Sequence, residues 1–290
     1  MTKGILLFAH NNRQIDYAKM SILTAKLAHK NLKVPVSLVT DPSTMEWMDE
    51  SKILKQASEL YDKIIITQRP EDGNMKNYND GKNITPAPFS NGNRFSAYDL
   101  TPYDRTLLID TDYFVLSNSL NEYWNVDSDL MMSPKYNDII GQERIGYLDK
   151  NISETGIKMY WATTVMFTKS EFAKLFFDLV EYIKSEYRMF SDVFRFDHRT
   201  YRNDISFSIA KHILNGFHEV DEYNLPNVYS TPDKDTLYDI NNNKLKFLLS
   251  HLDRNIAASV GNKDVHIMNK YSIMRNYDKF MELAEWHLDI

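Results

Sequence analysis

The chain has 290 residues, of which 43% are apolar, so it is long enough to bury a large core. Its 34 Lys and Arg residues against 40 Asp and Glu give a net charge of −6, which argues against a broad nonspecific surface for nucleic acid or anionic lipid. Cysteine is absent, which excludes disulfides, thiolate metal sites and thiol nucleophiles. The N-terminal apolar run is too short for a signal peptide and no stretch is apolar enough to span a bilayer, so we expect a soluble, cytoplasmic protein.

The first half of the sequence alternates between strand and helix patterns. The predicted strands are residues 4–9, 34–39, 64–66, 107–109 and 130–132, and the predicted helices are residues 15–27, 50–60, 94–103 and 120–124. The segment 74–93 is rich in Asn, Gly, Pro and Lys, which predicts a long loop. Because strands alternate with helices, the sequence predicts an α/β fold with a mostly parallel sheet and helices on both faces.

The second half has its own pattern. Residues 160–167 are predicted as a strand, and Ser170 is predicted to cap an amphipathic helix that follows it. Asn203 or Asp204 is predicted to cap the next helix. The chain closes with a strand ending at residues 265–268 and a helix over residues 276–286. No linker or repeat divides the sequence, so we expect one domain.

Two carboxylates follow the apolar run at residues 107–109. Asp110 and Asp112 are two residues apart, so in an extended chain their side chains point to the same side, roughly 6.6 Å apart. Two such carboxylates repel each other, and a divalent cation with a preference for oxygen ligands, Mg²⁺ or Mn²⁺, offsets the repulsion. The sequence therefore predicts a metal site at the carboxyl end of a buried strand, against the alternative of a solvated turn.

The residues before this pair resemble a known family. Arg94, Tyr98, Thr101 and Tyr103, followed by the Asp-x-Asp, are similar to the metal-site segment of retaining GT-A glycosyltransferases of the glycogenin type, which are family 8-like enzymes. The resemblance continues through residues 115–124 and, more loosely, covers most of the chain. It implies a GT-A nucleotide-sugar-binding fold in one domain, with a nucleotide-sugar and metal half at residues 1–132 and an acceptor half at residues 133–290.

The resemblance also implies roles for single residues. It implies Mn²⁺ or Mg²⁺ as the cofactor and a UDP-sugar as the donor substrate. The implied metal ligands are Asp110, Asp112 and His266. The implied donor-binding residues are Ala9, His10, Asn11, Tyr17, Arg94, Asp110, Thr111 and Lys270.

Each of these residues also has an ordinary structural interpretation. A lone His near an apolar strand, such as His266, is more often a core or surface residue than a ligand. Arg94 is a solvated helix residue on that view, whereas as a functional group its guanidinium would hold two diphosphate oxygens. Tyr17 is then a core residue, and Asp204 is a helix N-cap, an interpretation of equal weight with a catalytic role.

The sequence departs from the family on the acceptor side. Residues 162–164 read Ala-Thr-Thr where the family has Asn-x-Gly, and Asp204 precedes Ile205 where the family has Asp-Gln. The run at residues 195–202 interleaves basic and aromatic side chains, a composition suited to phosphates and rings. These segments predict a rebuilt acceptor site that includes Thr163, Thr164, Arg199 and Arg202.

The resemblance implies a metal-dependent glycosyltransferase that moves a sugar to an acceptor hydroxyl with retention. Asp204 is then either a nucleophile or a positioning group. The acceptor is a saccharide or other hydroxyl compound, with a modified nucleic-acid base as the weaker alternative. A nucleotidyltransferase would carry a Gly-rich phosphate loop, which residues 10–13 lack. A non-catalytic sugar-nucleotide-binding module is the alternative outside the enzymes. The sequence predicts no oligomeric state.

Overall fold

The computed structural model describes residues 1–12, 14–69, 73–80, 83–90, 92–141, 150–154, 156–218, 223–241, 243–251 and 254–285. Its strands are β1 (Lys3–Phe8), β2 (Val36–Thr40), β3 (Lys63–Ile66), β4 (Met75–Asn79), β5 (Ile84–Pro88), β6 (Arg105–Ile109), β7 (Tyr113–Phe114), β8 (Leu130–Ser133), β9 (Tyr136–Asp138), β10 (Trp161–Thr168), β11 (Val228–Thr231), β12 (Thr236–Asn241), β13 (Lys244–His251), β14 (Arg254–Gly261) and β15 (Val265–Ile267). Its α-helices are α1 (Tyr17–Leu32), α2 (Pro42–Glu50), α3 (Leu54–Leu60), α4 (Ala97–Leu100), α5 (Glu171–Ser185), α6 (Tyr187–Phe194), α7 (Asn203–Leu214), α8 (Lys270–Arg275) and α9 (Tyr277–Glu285), and 3₁₀ helices lie at Arg94–Ser96 and Ser119–Asn125.

A six-stranded sheet forms the centre of the molecule, in the order β3-β2-β1-β6-β10-β8. The four strands β3, β2, β1 and β6 are parallel, and β10 runs antiparallel to both β6 and β8. The predicted α/β fold class with a mostly parallel sheet is therefore confirmed. The parallel strands β1 and β6 are buried along almost their whole length and each ends in an apolar run, as expected of strands that are covered on both sides.

A close approach between chain segments fixes the N-terminal end of the central sheet. A Cβ atom added at Gly4 would lie 2.3 Å from the ring of Tyr103, so only glycine fits this position in β1. The Tyr103 hydroxyl forms a 2.7 Å hydrogen bond with the Ser37 hydroxyl of β2. The segment that leads into β6 is thus packed directly onto the neighbouring strands.

A second sheet joins the end of the chain to the Asp-x-Asp segment. Its order is β7-β15-β11-β9, with β15 antiparallel to β7. In this pairing His266 lies opposite Tyr113, and the amide of Ile267 donates to the carbonyl of Asp112 at 2.9 Å. The pairing therefore brings residues that are about 150 positions apart in the sequence to one place.

Two predictions for the region between β2 and β6 are wrong. The predicted helix at residues 50–60 begins only at Leu54, as α3. A separate helix that was not predicted, α2, precedes it, with Asp41 as its cap and Pro42 at its first position, and Lys52 turns the chain between the two at a φ of 58°. The predicted loop at residues 74–93 contains an antiparallel hairpin made of β4 and β5, called the hairpin below. Its Asn- and Pro-rich strands lack the β-branched residues that normally indicate strands.

Other elements differ in detail. The antiparallel sheet of β12, β13 and β14 and the helix α6 were not predicted. The helix α7 begins at Asn203, and neither predicted residue caps it, since the cap position is Arg202 and Asp204 lies in the first turn. The end of the predicted C-terminal helix, Trp286, lies outside the described residues. In the part of the chain that the structure describes, no helix is long and apolar enough to cross a membrane.

Candidate active site

A cavity of about 350 Å³ opens where the carboxyl ends of β1 and β6 meet β15 and the first turn of α7. Ligands of open α/β sheets bind at such carboxyl ends. The sequence-predicted residues that line this cavity are His10, Tyr17, Arg94, Asp110, Thr111, Asp112, Thr163, Arg202, Asp204, His266 and Lys270. Residues from both halves of the sequence therefore meet at one site.

Five charged or ionisable side chains form the strand-end cluster, which consists of Arg94, Asp110, Asp112, His266 and Lys270. Arg94 Nη1 donates to Asp110 Oδ1 at 2.6 Å. Lys270 Nζ donates to Asp112 Oδ2 at 2.5 Å, and His266 Nε2 lies 3.2 Å from the same oxygen. The side chains of Arg94 and Lys270 are only 2% and 3% exposed, so these ion pairs are shielded from solvent.

The two carboxylates of the strand-end cluster have opposite pKa shifts. Burial raises the pKa of Asp110 above its ordinary value, and the Arg94 guanidinium offsets this only in part. Burial would also raise the pKa of Asp112, but the Lys270 ammonium and His266 hold it well below its usual range. Asp112 is therefore the carboxylate that stays ionised most firmly.

The donor set fits a divalent cation. One ligand atom from each of Asp110, Asp112 and His266 lies within 4.8 Å of the other two. Ligands about 2.1 Å from an octahedral ion are separated by roughly 3 to 4 Å, so separations of this size need to shorten by at most about 1–2 Å for all three atoms to contact one ion. Two carboxylates and an imidazole suit Mn²⁺ or Mg²⁺. The ammonium of Lys270 lies at the same carboxylate and competes for it.

Two polar atoms of the strand-end cluster have no hydrogen-bond partner among the described residues. They are Nη2 of Arg94 and Nδ1 of His266, and both are buried. Buried nitrogen atoms of this kind are almost always hydrogen-bonded in native proteins, by protein, water or ligand. Since both residues line the cavity, water or a molecule bound there can supply these partners.

A histidine held by a buried carboxylate lines the cavity next to β1. His10 Nδ1 lies 2.7 Å from Asp41 Oδ2, and Arg69 donates to both oxygens of Asp41. Burial would raise the pKa of Asp41, but hydrogen bonds from His10, Ser43 and the amide of Thr44 lower it well below its ordinary value. The ionised carboxylate therefore orients the ring of His10, whose other edge faces the cavity.

The predicted tyrosine lies on the same side. Tyr17 is the first residue of α1, and its hydroxyl forms a 2.8 Å hydrogen bond with that of Tyr78 in the hairpin. Burial raises the pKa of Tyr17 well above its ordinary value, so the hydroxyl is neutral. The ring lines the cavity and is available for stacking against a planar group.

Asp204 lines the cavity from the first turn of α7. One of its oxygens, Oδ1, accepts a 2.8 Å hydrogen bond from the amide of Ala162 in β10. The other, Oδ2, lies 3.7 Å from Nη2 of Arg202. The hydrogen bond to β10, rather than a helix cap, fixes the orientation of this carboxylate.

Four predicted site residues lie outside the cavity. The first is Thr164, whose side chain points to the other side of β10 from Thr163, which lines the cavity, as alternation along a strand requires. The Thr164 hydroxyl forms a 2.6 Å hydrogen bond with that of Ser133. Arg199 is 84% exposed and ion-paired with Asp197. Ala9 is buried beneath the site, with its amide bound to Val39.

Asn11 is the fourth of these residues. Its side-chain oxygen accepts from the amide of Ala18 at 2.7 Å, and its amide nitrogen donates to Asp16 at 3.3 Å. These bonds hold the first turn of α1. Asn11 therefore supports Tyr17 and does not itself line the cavity.

No family model matches this sequence, and no curated protein matches it. Similarity to solved structures is distant. It includes glycosyltransferase GlyE of Streptococcus pneumoniae TIGR4, at 13% identity, with a TM-score of 0.40 and coverage of 74% of this chain and 43% of GlyE. Galactosyltransferase LgtC, in complex with donor and acceptor sugar analogs, matches at 15% identity, TM-score 0.43, over 71% and 69% of the two chains.

An enzyme of another class is similar to the same degree. The 4-diphosphocytidyl-2C-methyl-D-erythritol synthase of Anaerococcus prevotii matches at 13% identity, with a TM-score of 0.36 and coverage of 74% and 96%. The matched part of this chain also spans less than half of GlyE. Similarities this distant do not assign a function, which depends on the residues of the site.

Several cavity residues were not predicted. Lys76, Phe89 and Ser90 come from the segment that was expected to be a loop. The rings of Tyr136 and Trp161 contact each other with centroids 4.3 Å apart. No strand end or polar motif identifies these residues in the sequence. They reach the cavity through contacts between segments that are distant in the sequence.

Proposed function

We propose that this protein is a metal-dependent glycosyltransferase that transfers a sugar from a UDP-sugar to an acceptor hydroxyl, with retention at the anomeric carbon. The single observation that carries the proposal is the strand-end cluster. Two carboxylates and an imidazole that suit a divalent ion lie beside Arg94 and Lys270 in one cavity. A nucleoside diphosphate is the ligand whose charge this set complements.

The cations of the cluster would bind the donor diphosphate. Nη2 of Arg94 has no partner among the described residues, and a phosphate oxygen would supply one. Lys270 provides a second cation, its ammonium, next to Asp112. Charge develops on the departing diphosphate during transfer, so fixed cations at this place stabilise the transition state more than the ground state.

A divalent ion held by Asp110, Asp112 and His266 would supply further positive charge for the same diphosphate. The protein's part is to hold the ligands. Asp112 stays ionised because of Lys270 and His266, and the pairing of β15 with β7 fixes His266 beside it. Ligand atoms that already lie within 4.8 Å of each other need little rearrangement to bind an ion.

The nucleoside would lie against His10 and Tyr17. The ring of Tyr17 is held by its hydrogen bond to Tyr78, and His10 is oriented by Asp41, so both present defined surfaces to a base. Base stacking on an aromatic ring contributes about 1–3 kcal/mol per base. A uracil base agrees with the UDP-sugar donor that the family resemblance implies.

Asp204 is proposed as the catalytic carboxylate on the acceptor side. Its oxygen Oδ1 is fixed by Ala162, while Oδ2 is available near Arg202. The two roles open to it are nucleophile at the anomeric carbon and positioning of the acceptor and the oxocarbenium-like sugar. A chemically trapped glycosyl group on Asp204 would distinguish the first role from the second.

A saccharide is the proposed acceptor. The acceptor side of the cavity combines the aromatic rings of Tyr136 and Trp161 with Thr163 and Arg202, which suits the apolar faces and hydroxyls of a sugar. The basic run at residues 195–202 gives less support to a nucleic-acid acceptor than its composition suggests. Of its two predicted arginines, only Arg202 reaches the cavity, since Arg199 is paired with Asp197 at the surface.

The proposal is tested by incubating the protein with UDP-, GDP- and CMP-sugars, with and without Mn²⁺, and measuring nucleotide release by chromatography. We expect release of UDP that requires the metal and stops with EDTA. Tight binding without hydrolysis under any metal would indicate a non-catalytic binding module. Pyrophosphate release from UTP and a sugar 1-phosphate, without donor hydrolysis, would indicate a nucleotidyltransferase instead. The anomeric configuration of a transferred sugar, read by NMR, tests retention.

A further inference from the structure

The hairpin contributes a lysine to the cavity wall. Lys76 lies opposite Ala87 in the pairing of β4 with β5, and Tyr78 is two residues further along β4. Tyr78 and Ala87 are buried, whereas Asn77 and Pro86 are exposed, so the hairpin has an inner and an outer face. Lys76 belongs to the inner face and lines the cavity.

The hairpin is held at a few places around its inner face. The Tyr78 hydroxyl bonds Tyr17, and Asn12 Nδ2 donates to the carbonyl of Pro88 at 2.8 Å. At its base, Asn74 Oδ1 accepts from the amide of Tyr201 at 3.1 Å. None of these bonds involves Lys76, so its ammonium is free to serve a ligand without loosening the hairpin.

Lys76 forms no direct ion pair with any residue that the structure describes. Asp110, Asp112 and Asp204 each have a cationic neighbour already, at 2.6 Å, 2.5 Å and 3.7 Å. Among the described residues, no carboxylate lies within 4.0 Å of the Lys76 ammonium, which lies over the ring of Phe89, 5.0 Å from its centroid. Burial and the Lys270 ammonium lower the pKa of Lys76, and the more distant Asp112, Asp110 and Asp204 offset this only in part. An anionic ligand in contact with the ammonium would remove the remaining cost.

We propose that Lys76 binds the diphosphate of the nucleotide donor from the hairpin side, across the cavity from the strand-end cluster. The inference rests on the proposed function for the identity of the nucleotide. Its own basis is the inward position of Lys76 on β4 and its lack of a carboxylate partner. Lys76 is then a further donor-binding residue that no strand-end motif indicates.

The test is calorimetric titration of UDP and of uridine into the wild type and the variants Lys76→Ala and Lys76→Arg. Asn77→Ala, on the exposed face of the same strand, is the matched control. We expect Lys76→Ala to lose at least fivefold more affinity for UDP than for uridine, because only UDP carries the diphosphate. Lys76→Arg keeps a cation and should lose less than threefold, and Asn77→Ala should bind both ligands like the wild type.

An equal loss for UDP and uridine would overturn the proposal, since it would mean that the hairpin holds the nucleoside. A difference smaller than fivefold would overturn it as well. If the wild type binds neither ligand, the proposed donor is refuted, and inorganic pyrophosphate becomes the probe for Lys76 alone. If Lys76→Ala then lowers the affinity for pyrophosphate by less than fivefold, the anion site at Lys76 is refuted too. Thermal unfolding of each variant verifies that the hairpin remains folded.

Discussion

The strand-end cluster and the hairpin face each other across the same cavity and are built in opposite ways. Arg94, Asp112 and Lys270 are buried on the central part of the fold, and each has an ion-pair partner. The hairpin is an isolated two-stranded element with exposed apolar side chains such as Ile84, at 64% exposure. Two-stranded hairpins are only marginally stable alone.

This difference separates two kinds of contribution to a site. The side chains of the strand-end cluster are preorganised, so substitutions there should lower the rate of the chemical step, because neighbouring groups cannot move to compensate. The hairpin is held by a few side-chain hydrogen bonds, and substitutions there should act on binding and local opening. The predictions that follow test this contrast, beginning with the largest expected effect.

Asp112→Asn should reduce metal-dependent donor hydrolysis by about 100-fold or more, because it removes the carboxylate shared by Lys270 and the proposed ion. Nucleotide release with saturating donor and Mn²⁺ is the measurement. Asp178→Asn, which alters an exposed pair with Lys174, is the control and should retain full activity. Wild-type activity in Asp112→Asn would contradict the role of this residue.

The Asn variant also leaves Lys270 without its partner in a buried place, which destabilises proteins by about 3–5 kcal/mol. Asp112→Glu keeps the charge and should fold normally. Since its carboxylate is displaced by one methylene, we expect it to be stable and nearly inactive. The thermal unfolding curves of both variants separate loss of chemistry from loss of fold.

Asp41→Asn should lower the free energy of unfolding at pH 7 by about 2–3 kcal/mol, because a buried charge that accepts bonds from His10 and Arg69 is lost. The folded-state pKa of Asp41 lies well below its unfolded value, so its stabilisation is complete above pH of about 4 and is lost as the pH falls. The difference between the two proteins should therefore shrink below pH 4. Urea unfolding between pH 7 and pH 2.5 measures it, and a constant difference would contradict this assignment.

Arg202→Ala should raise the KM for a saccharide acceptor about tenfold, whereas Arg199→Ala should leave it unchanged. The reason is position, since Arg202 lines the cavity beside Asp204 and Arg199 is paired with Asp197 at the surface. Acceptor KM values at saturating donor are the measurement. An equal effect of both variants, combined with a steep salt dependence, would favour a nucleic-acid acceptor instead.

Tyr78→Phe should have the smallest effect. It removes the hydroxyl that bonds Tyr17 and accepts from Asn12, which loosens the hairpin by about 1 kcal/mol without changing the strand-end cluster. Amide hydrogen exchange should become faster in β4 and β5 and stay unchanged in β6. Uniform protection in both proteins would mean that other contacts hold the hairpin.

The same contrast explains what the sequence could predict. The run at residues 107–109 followed by Asp110 and Asp112 is a local pattern, and it identified β6 and the centre of the site. His266 could be placed only through the family resemblance, because the pairing of β15 with β7 joins distant segments. Lys76 had no local signal, since β4 is poor in β-branched residues.

Some missed elements did carry a readable signal. Leu245, Phe247 and Leu249 are buried and alternate with polar or exposed residues, which is the period of a strand in the sheet of β12, β13 and β14. Asp41 followed by Pro42 is the pattern of a helix N-terminus and predicts α2. The placement of Thr163 in the cavity and Thr164 outside it depends on the register of β10, which the sequence alone does not define.

The central claim is that Asp110, Asp112 and His266 hold a divalent ion together with a nucleoside diphosphate. Electron paramagnetic resonance of Mn²⁺ measures this directly, because the signal of the free aqueous ion decreases when the ion binds. We predict that UDP promotes uptake of one Mn²⁺ per chain, beyond what UDP alone binds, and that His266→Ala weakens this uptake at least tenfold. No uptake in the presence of UDP, or equal uptake by the wild type and His266→Ala, would contradict the account.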